Sequence, residues 1–321
     1  MRRAILSAAV LLLSAGAALA QQDPGPPETS AGKPLFTFRS ALWVNLHHFL
    51  YVLGRACNGT PDSRRAAVNA PADTQGFEAL TPKERQTWEH AIAYYRSDVS
   101  PKDAVFDHGL VAMTNAIAAA GDSPSLAGVD IPASLRAVLE ASTPVYRKVW
   151  WERHAQSNRA RIEELQSLLA RYGKPISDML THVYQQSWPP EGLTVQMCAY
   201  ANWAGAYSTE GRLIVMASAY DGISKSEGLE TVFHEAMHQW DDSMIPRLRD
   251  RAQRLNVEIP RDLFHALIFY TVGYATASVV PATTRMPTRS GRVACRGVRN
   301  WTNTGCGICA VKGLSTALSN A

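Results

Sequence analysis

The sequence predicts an α+β protein that is predominantly α-helical, with a small antiparallel sheet beside a helix that carries a metal-binding motif. Apolar residues recur at helical spacing through most of the first half of the chain. Short alternating segments follow near Gly192 and are typical of strands. The helix predicted after them contains the sequence His234-Glu235-Ala236-Met237-His238. The expected order is therefore helices, a small sheet, the motif helix and a further helix.

Residues 1–20 differ from the rest of the chain. Arg2 and Arg3 precede an almost wholly apolar or small run from Ala4 to Ala20, which ends in the small-x-small pattern Ala18-Leu19-Ala20. This is typical of a secretory signal peptide and predicts a periplasmic or secreted protein. A membrane anchor is the alternative, but the run is short for a span of about 20 residues. No stable membrane insertion is expected after cleavage.

The remaining chain is expected to have four parts. Residues 21–34 are rich in Pro, Gly and polar side chains and predict a flexible mature N-terminus. Residues 35–191 should form a helical N-terminal part, and residues 192–273 a catalytic part. Residues 274–321 are atypical in composition and are treated separately below.

Helices in residues 35–191 are predicted from apolar spacing and from start and stop signals. The clearest start is Thr81-Pro82-Lys83-Glu84, where Thr81 can cap the helix and Glu84 completes a capping box. The expected helices cover 36–52, a stretch from Pro82, about 100–120, and about 132–169, the last ended by Arg171-Tyr172-Gly173-Lys174-Pro175.

The second half predicts strands followed by helices. Leu193–Met197 alternates, and 205–207 and Arg212–Ala217 are typical of further strands. Helices are then expected over about 227–242, 246–255 and 260–279.

The motif predicts a metal site. His234 and His238 are four residues apart, so a helix places both imidazoles on one face, where they can bind a single Zn²⁺. Glu235 is rotated by about 100° from His234, which puts it beside the metal as a general base for a zinc-bound water. Glu235 is therefore the predicted catalytic residue.

A catalytic zinc usually has three protein ligands and an open position. The candidates for the third ligand are Glu258, Asp262 and His265. His265 is favoured because it is a polar residue in a strongly apolar helix, where burial requires a partner. Glu258 stays open as the alternative, although it lies just before Pro260 and outside that helix, where its position is less fixed. The predicted cofactor is thus Zn²⁺, held by His234, His238 and His265.

Residues 205–272 resemble the zinc-binding half of the zincin metallopeptidases, in particular uncharacterised exported bacterial proteins with this motif. The strand Arg212–Ala217, the motif helix Glu227–Asp242 and the later ligand helix follow the order of that family. The segments Asn45–Leu50 and Phe264–Thr271 add to this resemblance.

The resemblance implies zinc ligands at His234 and His238, a general base at Glu235 and an edge strand, Arg212–Ala217, that pairs with extended substrate. In the family branch with a glutamate ligand, Glu258-Ile259-Pro260-Arg261-Asp262 matches the Glu-x-x-x-Asp pattern.

The predicted function is therefore zinc-dependent hydrolysis outside the cytoplasm, with a peptide or protein as substrate. Two alternatives stay open: a zincin-shaped binding protein with little or no turnover, and a zinc amidase that acts on cell-wall material. The net charge of +4 and the absence of a basic segment interleaved with aromatics argue against nucleic acid as a partner. The oligomeric state stays open.

Further side chains are candidates for supporting roles. Carboxylates near ligating imidazoles orient them, and tyrosines can donate to a developing oxyanion. Two adjacent helix residues diverge by about 100°, so His47 and His48 are expected to be packing or cleft-wall residues. The supporting candidates are Glu230, Asp241, Asp242 and Asp262 as carboxylates, and Tyr270 and Tyr274 as oxyanion donors or aromatic packing.

The C-terminal segment has an unusual composition. No Asp or Glu follows Asp262, and Cys295, Cys306 and Cys309 all lie in this segment. We expect residues 274–321 to be a frameshifted, otherwise non-native or disordered tail. The alternative is a metal or redox site at Cys306-Gly307-Ile308-Cys309. Without the tail, Cys57 and Cys198 remain, an even number that suits one disulfide in an exported protein.

Overall fold

The strands and helices are known from a computed structural model that describes residues 34–56, 71–202, 204–209, 213–219, 225–260 and 262–281. Within these ranges the chain is mostly helical with a single four-stranded sheet, which confirms the predicted α+β class. The predicted signal peptide, Cys57 and the cysteines of the tail lie outside the described residues. Cys198 is described and has a buried, free thiol.

The sheet consists of β1 (Phe36–Arg39), β2 (Leu193–Cys198), β3 (Ala206–Ser208) and β4 (Leu213–Ala217), in the order β1-β2-β4-β3. β2 pairs in parallel with both β1 and β4, whereas β3 pairs with β4 in antiparallel register. The prediction of an antiparallel sheet was therefore wrong, because the sheet is mixed. Only the β3–β4 pair of this sheet is antiparallel.

The edge strand also differs from the one expected. β4 lies between β2 and β3, so Leu213–Ala217 of the predicted edge strand form an interior strand and β3 forms the edge. All residues of β4 are apolar and buried. A continuous apolar run of this kind is typical of a strand covered on both faces, whereas an exposed edge usually alternates.

β1 corrects the helix predicted over residues 36–52. Phe36–Arg39 pairs with β2, Phe36 standing opposite Leu193, and the helix begins only at Leu42. The side chains of β1 alternate between more and less buried positions. The pairing partner is distant in sequence, so the local apolar spacing could not reveal it.

The first helices are α1 (Leu42–Ala56), α2 (Pro71–Glu78), α3 (Pro82–Tyr94), α4 (His108–Ala119) and α5 (Ala133–Tyr146). The capping box predicted for α3 is confirmed, because Thr81 and Glu84 each bind the backbone N–H of the other. α4 begins later than the predicted Ser100. The Asp107 carboxylate caps it by accepting a hydrogen bond from the Leu110 N–H.

The long helix α6 (Glu152–Tyr184) passes through the segment that was predicted to end it. α5 leads into α6 through a π-helical turn at Arg147–Trp151, and α6 continues past Gly173 and Pro175. Proline inside a helix costs about 3 kcal/mol. The neighbouring Tyr172 and Ile176 are buried, so tertiary packing outweighs this local cost.

The last helices are α7 (Lys225–Met237), α8 (Asp241–Arg254) and α9 (Leu263–Val279). The motif helix ends at Met237, short of the predicted Asp242, and a 3₁₀ turn at His238–Trp240 joins it to α8. α8 therefore starts before the predicted Pro246. α9 extends to Val279, into the segment of atypical composition. No described helix is long and apolar enough to cross a membrane.

The two faces of the sheet contact different helices. On one face, residues including Tyr207 and Val215 join a core with α1 and the helices α3 to α5. On the other face, residues including Val195 and Met216 join a core with α6, α7 and α9. The motif helix is thereby held against the sheet and beside α9.

Candidate metal centre

Three imidazoles from three different elements converge beside the sheet. His234 lies in α7, His238 in the 3₁₀ turn and His265 in α9, and one nitrogen of each lies within 4.8 Å of the others. The Nε2 atoms of His234 and His265 are 3.2 Å apart. The structure thus brings together all three histidines that were predicted as ligands. The first and the last of them, His234 and His265, are 31 residues apart in the sequence.

The packing of α7 explains where the first two histidines lie. Val232, Phe233 and Ala236 are fully buried and fix this helix in the core. His234 is buried on the same helix, whereas His238 is half-buried in the tighter turn that follows. The ring centroids of the two histidines remain 5.1 Å apart, so the predicted closeness holds although His238 lies beyond the α-helix itself.

His265 joins the cluster for a reason other than the one predicted. It lies on the exposed side of α9, whereas Phe264 and Ile268 are buried. The premise that burial would require a partner for His265 was wrong. Its place is set by the packing of α9 against α7 and α6.

Phe269 is a member of the site that the sequence did not reveal. Its ring centroid lies 4.0 Å from that of His234 and 4.7 Å from that of His265. Phe269 is four residues after His265, so both side chains lie on one helix face. That spacing is the signal that would have found it, once His265 is accepted as part of the site.

The donor set fits a zinc ion. A tetrahedral site with Zn–N bonds of about 2.0–2.1 Å has ligand atoms about 3.3 Å apart. The 3.2 Å between the Nε2 atoms of His234 and His265 agrees with this spacing. Nδ1 of His238 lies 3.0 Å from a carboxylate oxygen of Asp241, which leaves Nε2 for the cluster. The buried Nδ1 of His234, in contrast, has no hydrogen-bond partner among the described residues.

The protonation preferences of the rings also suit a metal. Burial lowers the pKa of His234, and the charges of His238 and His265 lower it further. The ring of His265 is partly desolvated although the residue lies on the exposed side of α9, and this desolvation and the charge of His238 lower its pKa. For His238, burial acts in the same direction, but the hydrogen bond with Asp241 and the charge of Glu235 raise its pKa above the usual value. Two of the rings thus favour the neutral form that binds metals.

Glu235 is buried and lies beside Ser208 of the edge strand β3. The hydroxyl and the backbone N–H of Ser208 face the Glu235 carboxylate and favour the charged form. Burial raises the pKa of Glu235, while the charge of His238 and the bonds from Ser208 partly oppose this. Ser208 is in turn positioned by its pairing with Ile214 in β4. No local pattern in the sequence points to Ser208, because its position depends on the pairing of the sheet.

The other carboxylates that were considered lie in different places. Asp241 contacts His238, as described above. Glu258 and Asp262 are exposed and are not part of the histidine cluster within the described ranges, although the charge of Asp262 raises the pKa of His265. Glu230 is buried in α7, and Asp242 is exposed at the start of α8.

The two tyrosines that were considered either as oxyanion donors or as aromatic packing do not contact the cluster. Tyr270 and Tyr274 are 50% and 59% exposed and stack on each other along α9. Within the part of the chain that the structure describes, no hydrogen bond or ring contact links either tyrosine to the three histidines.

His47 and His48 are packing residues in the interior of α1. Nδ1 of His47 lies 2.8 Å from the Tyr95 hydroxyl. Nδ1 of His48 donates to the Val44 carbonyl, and its Nε2 accepts from the Tyr207 hydroxyl at 2.7 Å. These bonds pair the polar atoms of the buried rings. The rings belong to the core on one face of the sheet, whereas α7, which carries Glu235, packs against the other face.

The cluster, Glu235 and Ser208 together provide nitrogen ligands beside a buried carboxylate. This is the chemistry on which any assignment of function to the chain depends. No family model, no curated protein and no solved structure matches the chain.

Proposed function

We propose that the chain is an exported zinc-dependent hydrolase of the zincin type that cleaves peptide bonds in peptides or proteins. The observation that carries the proposal is the convergence of His234, His238 and His265 next to the buried Glu235. Three protein ligands leave one position open, as in catalytic zinc sites.

The choice of zinc follows from the donor atoms. Imidazole nitrogens suit Zn²⁺ and other late transition metals, whereas Mg²⁺ and Ca²⁺ prefer oxygen ligands. Zn²⁺ bound by the three histidines would act as a Lewis acid and lower the pKa of water at the open position.

Glu235 supplies the proton transfers. Its carboxylate takes a proton from the attacking water and delivers it to the departing amine nitrogen. The oxygen of water becomes part of the new carboxylic acid as the C–N bond breaks, so the products are an acid and an amine.

Ser208 and Asp241 position the groups that act. Ser208 binds the Glu235 carboxylate from β3 and thereby fixes its orientation relative to the cluster. Asp241 holds the His238 ring through Nδ1. Both are positioning residues, because neither is expected to contact the substrate.

The proposal is tested by metal analysis of the purified protein together with a cleavage profile on a peptide library and on cell-wall fragments. Wild type and Glu235→Gln should each bind about one zinc per chain, and only the wild type should cleave peptides. Glu258→Gln makes the same chemical change on an exposed residue and should retain both properties.

Three results would contradict the proposal. Purified protein that contains no bound metal would exclude the zinc site. Equal peptide cleavage by Glu235→Gln and wild type would show that Glu235 is not the general base. Cleavage of the cell-wall fragments but not of the peptides would show that the substrate is an amide of cell-wall material and not a peptide or protein.

A further inference from the structure

A cavity of about 210 Å³ opens beside the histidine cluster, between α8 and α9. His238 and His265 form part of its wall. Pockets that enclose a whole drug-sized ligand measure roughly 300–1,000 Å³. This cavity is smaller and has the size for a single side chain. The rest of its wall is largely apolar and includes Ile245, Leu248, Ile259, Leu263 and Phe264.

One wall of the cavity carries a cation. Arg249 lies in α8, four residues after Ile245, so both side chains lie on the same face of the helix. Arg249 is exposed, and no ion pair or hydrogen bond involves it within the described part of the chain. A guanidinium in this position is available for a carboxylate, to which it can donate two parallel hydrogen bonds.

The two acidic residues of the cavity already face other charges. Asp241 binds His238. Asp262 stands at the N-terminus of α9, where the helix dipole favours a negative charge, and it interacts with His265. Arg249 forms no ion pair with either acidic residue within the described part of the chain, so its guanidinium is the cation of the wall that remains available.

We infer that this cavity binds the C-terminal residue of a peptide whose side chain is apolar and whose free carboxylate is bound by Arg249. The inference rests on the proposed function and specifies its substrate class. The apolar side chain fills the space between α8 and α9, and the carboxylate reaches the guanidinium. The peptide bond before this residue then lies next to His238 and His265, so the site removes an apolar residue from the end of a chain.

The test is a binding measurement that requires neither bound metal nor turnover. Metal-free Glu235→Gln is titrated by calorimetry with N-acetylated tripeptides that differ only at the C-terminal residue. The free acid ending in leucine is compared with its amide, with the free acids ending in glycine or lysine, and with an amide ending in aspartate. The last peptide carries a carboxylate on a side chain instead of at the terminus.

The leucine acid should bind at least about tenfold more tightly than the two amides, since a hydrogen-bonded charge pair is worth about one to two decades of affinity. It should also bind about tenfold more tightly than the glycine and lysine acids, because these lack an apolar side chain to fill the cavity. Adding Arg249→Gln should abolish the difference between acid and amide. Arg247→Gln, a neighbouring exposed arginine outside the cavity, should preserve it.

Equal binding of the leucine acid and amide would overturn the inference, as would equal losses in the two arginine variants. Tighter binding of the aspartate amide than of the leucine acid would overturn the specificity for a chain end. Tighter binding of the lysine acid would assign the cavity to a basic side chain instead. Because the measurement uses metal-free, inactive protein, absence of zinc or of cleavage would count against the proposed function alone.

Discussion

Nδ1 of His238 lies 3.0 Å from a carboxylate oxygen of Asp241, the first residue of α8. The contact exists because the chain tightens into a 3₁₀ turn directly after α7, which brings the residue three positions later back to the ring. The carboxylate fixes which nitrogen of His238 faces the cluster. A ligand and the residue that orients it therefore come from one short segment of the chain.

Replacing Asp241 should weaken metal binding without unfolding the protein. In Asp241→Ala the His238 ring loses its anchor, and zinc affinity should fall by about 10- to 100-fold, the usual effect of losing such a partner. Competition with a chromophoric chelator measures the affinity. Asp242→Ala changes the adjacent exposed carboxylate and should have no such effect. Equal affinities of the two variants would show that Asp241 does not orient the ligand.

The third ligand can be identified by comparing two substitutions. His265→Ala removes a member of the cluster, and its zinc affinity should fall by more than the roughly 100-fold expected for a lost orienting residue. Glu258→Ala should bind zinc like the wild type, because Glu258 is exposed and outside the cluster. The same chelator competition measures both. The reverse result would return the role of third ligand to Glu258.

His48 should make stability depend on pH. Burial lowers the pKa of His48 from the usual 6.5 to about 4, although the bond to Val44 partly opposes this. The unfolded chain therefore takes up a proton that the folded protein resists. Stability is fully present above pH 6.5 and is lost as pH falls towards about 4, with a loss of about 3 kcal/mol from this group.

Urea unfolding of metal-free protein between about pH 4 and 7 measures this loss. The slope of stability against pH should be shallower in His48→Gln than in the wild type, whereas exposed His182→Gln should match the wild type. Parallel curves for wild type and His48→Gln would show that His48 titrates normally in the folded protein.

Gly192 is required where β2 begins beside β1. Its φ is +74°, and a Cβ atom at this position would lie 2.6 Å from the Pro34 carbonyl oxygen. Gly192→Ala should destabilise the protein by about 1–2 kcal/mol for the left-handed backbone, with a further loss for the collision with main chain. Gly121→Ala is the matched control, since Gly121 also has a positive φ but open space around it. Thermal unfolding should show the larger loss for Gly192→Ala, and equal losses would exclude the collision.

The parts of the site that depend on local spacing could be predicted from the sequence. His234, Glu235 and His238 lie within a single helical turn and its continuation, so helix geometry alone indicates their arrangement. Of the three candidates for the third ligand, His265 is the one that lies in the cluster, but it was favoured from a premise about burial that the structure contradicts. Which face of α9 meets α7 is set by tertiary packing, and no local pattern encodes it.

The parts that depend on distant pairing could not be predicted. Phe36–Arg39 joins the sheet through β2, which lies far along the chain, and Ser208 reaches Glu235 only because β3 forms the edge of the sheet. Likewise, Pro175 predicts the end of a helix, whereas α6 continues through it because its neighbours are buried in the core. In each case a long-range contact outweighs a local preference of about 1–3 kcal/mol.

The position of β1 has a practical consequence for anyone who shortens the chain. β1 is the outermost strand on its side of the sheet and covers the hydrogen-bonding edge of β2. A truncation beyond Arg39 would uncover the backbone groups of Leu193–Gln196 in an almost wholly buried strand, and such an open edge invites pairing between molecules. Shortened versions that begin after Arg39 should therefore aggregate, whereas those that begin before Pro34 should stay dispersed.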